Sequence, residues 1–524
     1  MKPFVFSVAL ILFLSPVSAG IAQQSTNAAA LENAQALMRE GRIREALPFL
    51  LEVHRAQPRN LALCQQIGVA YLQLQQFAEA AQFFRTALSV NPELLPARKN
   101  LGVALWFAGQ RKEAETEFVR VLSKAPNEPV PHFYVGMLAY ERQEYAKARG
   151  HFLKTGSLAL ENPEAFSAVL ETGLATKDQT LIDAALRSAE KSASSQPDVW
   201  FQAGSLLGRF GSYDGAIQAF ERVRDSYPDR AKLLQNLGLA QLQARRYTEA
   251  VRTFETLAPH SSSETYLWLA EAWDGAGDPQ KAYDAYAKAI EKDPKSEHAY
   301  AALSNFAVAH YNAPFALKVV GQGLQHIPGS ARLLLQQGVI LSLDDKMSQA
   351  EESFHRASQA NPSWALPVLA LGLTQLQTGK LPEAVRSFQS AANLAKDDYR
   401  PSYLMALTWV RGGGQSQSER HDEIVSALQR AVSLNPTHAD SRILLGQTYL
   451  SDNRLDLALG ELEKARKLQP ENASALYQLA MVYRKKGDIT RASESLKQFE
   501  GLKQREKKEE DLAKKELVQI LKVK

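Results

Sequence analysis

The strongest constraint in this chain is a repeat of 34 residues in which the most restricted positions are restricted in size. The stretch Leu95–Glu128 shows the unit. Leu101, Ala104, Leu105 and Ala108 recur at three- and four-residue steps, the spacing of one face of a helix, and Pro96 sits where a missing N–H costs nothing. Gly109 interrupts the pattern. A second helix is predicted to bury Ala114, Phe118, Val121, Leu122 and Ala125, and Pro126 ends it. Two amphipathic helices this short cannot bury their apolar faces alone, so each unit needs neighbours stacked on both sides.

The neighbours follow in register. The Gly102 position recurs as Ala34, Gly68, Gly136, Leu170, Gly204 and so on to Ala480, and only Leu170 is large. The Ala114 position is alanine in twelve of fourteen units, with Ile182 and Ile424 the exceptions. Small side chains let the two helices approach closely, and a bulkier residue there overpacks the contact by roughly 1 to 3 kcal/mol. At 524 residues the chain could hold several globular domains, but an uninterrupted period argues for one stacked array over about fourteen units, residues 27–506.

The pattern resembles the tetratricopeptide repeat family, W-x2-LG-x2-Y followed by Ala, an aromatic, Ala and Pro. Ile67-Gly68, Tyr71, Ala80, Phe84, Ala87 and Pro92 carry it, as do Trp200, Gly204, Ala216, Phe220 and Pro228, and again Leu445-Gly446, Tyr449, Ala458, Leu462, Ala465 and Pro470. The resemblance implies an all-α fold, a right-handed superhelical solenoid of helix-turn-helix units, closed by a C-terminal capping helix. It also implies that the first helix of each unit lines the concave face and carries the binding residues. Carried onto this sequence, those positions include Gln66, Lys99, Asn100, Trp106, Phe107, Phe133, Tyr140, Phe201, Gln202, Asn236, Gln336, Tyr403, Tyr477 and Gln478. Aromatic rings offer contact area at low entropic cost and amides pair with the backbone of an extended chain, a combination suited to a protein or peptide partner. The lysine, asparagine and arginine clamp that some members use for a C-terminal carboxylate is not assembled here: the positions flanking Lys99 and Asn100 hold Gln65, Gln66, Phe133 and Tyr134. The asparagine ladder of the sugar-transferring members is only sketched by the amides.

Several segments depart from the period. Residues 1–22 read as a secretory signal peptide: Lys2, an apolar run from Phe4 to Leu14, and small residues at Ser18-Ala19 or Ile21-Ala22. The run is too short for a permanent span, which needs about 20 residues. The expected product is an exported protein, periplasmic or extracellular, with no stable membrane span once the signal is removed. In the unit 163–196, Leu170 and Ile182 replace both small residues and Gly173 replaces the aromatic, which predicts a local change of packing and a division of the array into two rigid halves there. The junction Pro259–Ser263 is two residues short, and six extra residues fall within Gly412–Ser418 as a flexible loop. Residues 507–524 read as a charged helix capping the last unit.

Basic and acidic residues number 61 and 57 and are scattered along the chain, so no basic stripe of the kind nucleic acid requires is present. The single cysteine, Cys64, excludes a disulfide framework and falls at the packing position that Trp200 occupies in its own unit. No HExxH, GxSxG, GxxxxGK[ST] or GxGxxG pattern occurs. His421-Asp422-Glu423, Asp344-Asp345 and Asp397-Asp398 read as turn and helix-start acids rather than metal ligands. The expectation is a non-enzymatic scaffold without cofactor or metal, serving assembly or export machinery of the cell envelope. The alternative is a regulatory subunit capturing a peptide or saccharide in the groove. The repeat pattern fixes no oligomeric state.

Overall fold

The computed structural model describes residues 23–522, apart from 160–162, 193–196, 259–261, 311 and 414–419. The expected signal peptide and most of the expected insertion loop therefore lie outside the described residues. Every regular element within them is a helix, and the helices pair into fourteen antiparallel hairpins. The chain divides after Leu257 into two compact bodies of seven hairpins each. The first runs from Gln23–Arg39 with Ile43–Ala56 to Arg230–Gln243 with Tyr247–Leu257. The second runs from Ser263–Gly275 with Pro279–Lys292 to Ala473–Lys485 with Ile489–Lys522.

Size complementarity builds each hairpin. In eight of them a glycine of the first helix faces a bulky side chain sixteen residues later: Phe84, Phe118, Phe152, Phe220, Phe254, Phe354 and Phe388 in seven, and Leu462 in the eighth. A Cβ placed on any of these glycines would lie 2.5 to 2.9 Å from the facing side chain, inside van der Waals contact. Where the glycine position carries Ala34, Ser304 or Ala480, the facing residue is Leu50, Val320 or Leu496 instead. In these hairpins glycine and phenylalanine travel together because the ring needs the space that the missing Cβ leaves; Ala270, with Tyr286 sixteen residues on, is an exception. Each buried ring contributes roughly 1.5 to 3 kcal/mol by removal of apolar area from water.

The turn inside each hairpin is equally regular. Gly109 has φ +78, and the residue after it, Gln110, donates its N–H to the Leu105 carbonyl, the six-to-one bond that closes a helix through a left-handed residue. Equivalent left-handed positions are held by glycine in six hairpins and by Gln75, Gln143, Lys177, Arg245, Asp345 and Asn453 in six others. Side chains cap many first helices: Asn60, Asp229, Ser296, Ser330 and Asn472 each accept from the backbone N–H three residues on.

Two expectations need correction. The unit 163–196 is not where the chain divides. Its first helix, Pro163–Thr176, packs on Pro129–Glu141 before it and Pro197–Arg209 after it, inside the first body. Leu170 is fully buried, and the close approach has moved to Gly173, where a Cβ would sit 3.0 Å from the backbone nitrogen of Ile182. The small residue has shifted by one helical turn and the hairpin has kept its contact. The capping helix expected as a separate element at 507–524 is instead the far part of one helix, Ile489–Lys522, which is also the second helix of the last hairpin. The first helix of the twelfth hairpin ends at Gly412 and its partner begins at His421.

Candidate interaction surface

The first helix of a hairpin packs on its own partner, on the preceding hairpin and on the following one, so the buried stripe is wide and only a narrow band stays open. That geometry separates the predicted contact residues. Trp106, Phe133 and Phe201 are 9%, 4% and 8% exposed and belong to the core. The Arg111 guanidinium lies 3.6 Å above the Trp106 ring, and Tyr134 packs on the indole with ring centroids 4.9 Å apart. Phe133 meets Tyr134 edge-on, and Phe201 stacks on Tyr227 at 4.3 Å. These three were expected on the binding face and are corrected to packing residues, since each is buried.

Phe107 is exposed on one face and stacked on Phe77 by the other, with centroids 5.2 Å apart. Lys99 is half-buried and its Nζ lies 2.5 Å from Glu128 Oε1, while Asn100 beside it is half-buried. Asn236 turns back to donate to the Lys232 carbonyl of its own helix. Gln202 accepts from the Ser167 hydroxyl, and Gln336 donates to the Ala301 carbonyl and the Asn305 side chain. Gln202 and Gln336 thus tie neighbouring first helices together. Tyr140 donates its phenol to Glu171 at 2.7 Å, and Tyr145 and Arg209 reach the other oxygen of the same carboxylate at 3.1 and 2.5 Å. One acid therefore pins the fourth, fifth and sixth hairpins together. Burial first, and then Glu171, push the Tyr140 phenol far above the ordinary tyrosine range.

The open apolar surface lies in the second body. Val339 and Leu343 on the helix Ala331–Leu343, and Leu366 and Leu373 on Ala365–Gln377, are exposed, Leu343 by 69%. These helices and Arg400–Gly412 pack side by side and form one face. A groove of about 290 Å³ opens on it, lined by Leu366, Leu369, Ala370, Leu373, Tyr399, Arg400, Tyr403, Leu404 and His438. His438 fixes its rim. Its Nδ1 accepts from the Ser441 backbone N–H at the start of the next first helix, so the proton sits on Nε2, and its ring lies 4.6 and 5.0 Å from those of Tyr399 and Tyr403. Arg400 is held by Asp398 at 2.7 Å. Tyr477 is a further exposed ring, packed at 5.5 Å on Phe499. Of the groove, the sequence pointed only to Tyr403. Val339 and Leu373 stand at the same register position, 34 apart, immediately after their glycines.

On the other side of the same hairpins, a wider polar groove of about 840 Å³ runs between the helices Leu381–Leu394 and His421–Leu434. Two of its arginines are paired within their own helical turns, Arg386 with Glu383 and Arg420 with Glu423. Asp422 and Glu423 occupy the first turn of their helix, and His421 Nε2 lies 2.5 Å from Asp452. Among the described residues there is no group of three metal-ligating side chains, and no helix is long and apolar enough to cross a membrane. Cys64 is fully buried, and burial pushes its thiol up.

Tetratricopeptide repeat family models match residues 31–96, 71–132, 170–231, 201–264, 236–297 and 443–502, together more than half of the chain. The chain belongs to the tetratricopeptide repeat family. Proteins built from these repeats mediate protein–protein interactions. The chain is 24% identical over 419 residues to the BBSome complex member BBS4 of Bos taurus, covering 78% of this chain and 79% of that one. It is 20% identical to anaphase-promoting complex subunit 3 of Schizosaccharomyces pombe over 51% of this chain, spanning 40% of that protein. Yeast Tom70 aligns over 95% of this chain and 99% of its own at 14% identity, with a TM-score of 0.39, too low to carry an argument about arrangement or function.

Proposed function

We propose that this chain is a protein-binding scaffold of the cell envelope and that its partner docks on the second body, on the face made by the first helices of the tenth, eleventh and twelfth hairpins. The observation that carries this reading is the groove at Leu366, Leu373 and Tyr403, an apolar pocket on an exposed face flanked by further aliphatic side chains. Its size suits one bulky apolar side chain of a partner segment. The rings of Tyr399, Tyr403 and His438 add rigid walls that lose little entropy on binding. Arg411, which makes no ion pair among the described residues, lies near Tyr403, whose phenol burial raises, and would receive an acidic group flanking the anchor. Export is supported by the positive start at Lys2 and the apolar run Phe4–Leu14, and within the envelope a scaffold for assembly or export machinery fits best.

Crosslinked pulldown from intact cells, with the chain tagged at its C-terminus, tests the proposal. A Leu366→Ala, Leu373→Ala, Tyr403→Ala variant with unchanged helical circular dichroism should lose the envelope proteins that the native chain captures. Full capture by the triple variant would remove the docking face. An empty pulldown from the native chain would favour the smaller role, capture of a peptide or saccharide, which peptide and glycan arrays then read directly.

A further inference from the structure

One position of the repeat links successive hairpins, and in the fourth hairpin its chemistry has been changed. In the third hairpin Arg98 donates to the carbonyl of Pro92, six residues earlier, and pairs with Glu117, nineteen residues later, at 2.6 Å. In the thirteenth, Arg442 repeats this with Pro436 and Glu461 at 2.9 and 2.5 Å. Each bond set fastens the first helix both to the end of the previous hairpin and to its own partner helix. The fourth hairpin puts His132 and His151 at these two places. His132 Nε2 lies 2.8 Å from the Pro126 carbonyl, and the two Nδ1 atoms lie 2.9 Å apart.

The protons follow from the partners. A carbonyl only accepts, so His132 carries its proton on Nε2 and its Nδ1 is an acceptor. His151 must then donate from Nδ1, which leaves its Nε2 bare. A first added proton can go only to that Nε2, and inside the packed hairpin burial and Lys154 oppose it, so in acid the opened hairpin takes up a proton that the closed one resists. Guanidinium and carboxylate side chains in general do not titrate between pH 5 and 8, whereas imidazole does.

We propose that the fourth hairpin is an acid-sensitive joint of the first body: mild acid breaks the His132–His151 lock and frees the second helix, while the arginine–glutamate locks elsewhere hold. The local architecture fits a joint. His132 is buried, and His151 sits in the last turn of Tyr145–Phe152, a helix of eight residues where most second helices have fourteen. The charged groups around the pair leave no carboxylate to rescue the cation: Glu128 is held by Lys99, Glu144 by Lys147, and Asp178 by Arg149, while Lys154 just beyond the helix adds a like charge. Burial, then His132 and Lys154, hold His151 below the ordinary histidine range. A base whose folded value is depressed contributes stability that is present above about pH 6.5 and is lost as pH falls through the folded value.

Hydrogen exchange of the full chain at pH 7.5 and 5.5, corrected for intrinsic rates, tests this. Peptides from 129–154 should lose protection roughly tenfold at the lower pH, while 95–124 and 439–468 keep theirs. His132→Arg with His151→Glu, which installs the pair of the neighbouring hairpins, should abolish the difference. His151→Gln, which can still donate to His132 but does not titrate, should abolish it as well and guards against a misfolded double variant. Equal protection at both pH values in the native chain, or an unchanged response in both variants, would overturn the proposal.

Discussion

Replacing Gly102 by alanine isolates the rule that builds the hairpins. The new Cβ would lie 2.6 Å from Cε1, 2.8 Å from Cδ1 and 2.9 Å from Cζ of Phe118, so it meets the edge of a ring rather than the end of a flexible chain. The ring cannot swing away, because it is fully buried and stacked on Tyr134 with centroids 5.0 Å apart and planes within 5°. Overpacking of this kind costs roughly 1 to 3 kcal/mol. Alanine returns about 1 kcal/mol through helix propensity, so the expected net loss is about 0 to 2 kcal/mol, against a gain at an open site. Gly460→Ala, inside the helix Leu455–Leu468 with nothing within 4 Å of the added Cβ, should instead stabilise by about 1 kcal/mol. Long repeat arrays need not unfold in one step, so the readout is hydrogen exchange of the affected hairpin rather than a single melting temperature. The pair Gly102→Ala with Phe118→Leu imitates Ala34 with Leu50 in the first hairpin and should show favourable coupling of about 1 kcal/mol in a double-mutant cycle. If Gly102→Ala is as benign as Gly460→Ala, or if the cycle shows no coupling, the size argument fails.

Three further outcomes follow from the same structure. Phe133→Ala should destabilise the fourth hairpin by about 3 to 5 kcal/mol, as for a core aromatic, seen as lost exchange protection in 129–152 whether or not a partner is present. Arg245→Gly should stabilise the seventh hairpin by about 1 kcal/mol, because Arg245 holds φ +59 that glycine adopts freely, and chemical denaturation of the native and variant chains compares them. The Tyr140 and Tyr145 phenols are both raised, so the stability they contribute is present below about pH 10 and is lost as pH rises through their folded values. Ultraviolet titration of native and Tyr140→Phe chains should show one tyrosinate fewer in the most alkaline part of the curve.

The hairpins were legible because packing wrote them into the sequence at a fixed step. Gly102, Ala114 and Phe118 each record a contact inside one unit, and the same three sizes recur along the chain. What one unit cannot record is what lies above and below it. Trp106, Phe133 and Phe201 look like ligand-facing rings on a single helix, but all three are buried, Trp106 against Tyr134 and Phe201 against Lys232 of the next hairpin. The reverse holds for Leu366 and Leu373, aliphatic residues that no neighbour covers. The division of the chain was misplaced for a related reason. Leu170 broke the size rule by sequence, but Gly173 restored it one turn later, and Glu171 tied that hairpin to Tyr140 and Arg209 across its neighbours.

Site-specific photocrosslinking in living cells tests the docking face most directly. A benzophenone side chain placed at Leu373, and separately at Arg356 on the second-helix side of the tenth hairpin, reports which face a partner touches. The scaffold account predicts a discrete protein adduct from position 373 and none from position 356. An adduct from 356 alone, or none from 373 in cells where the pulldown recovers a partner, would contradict it.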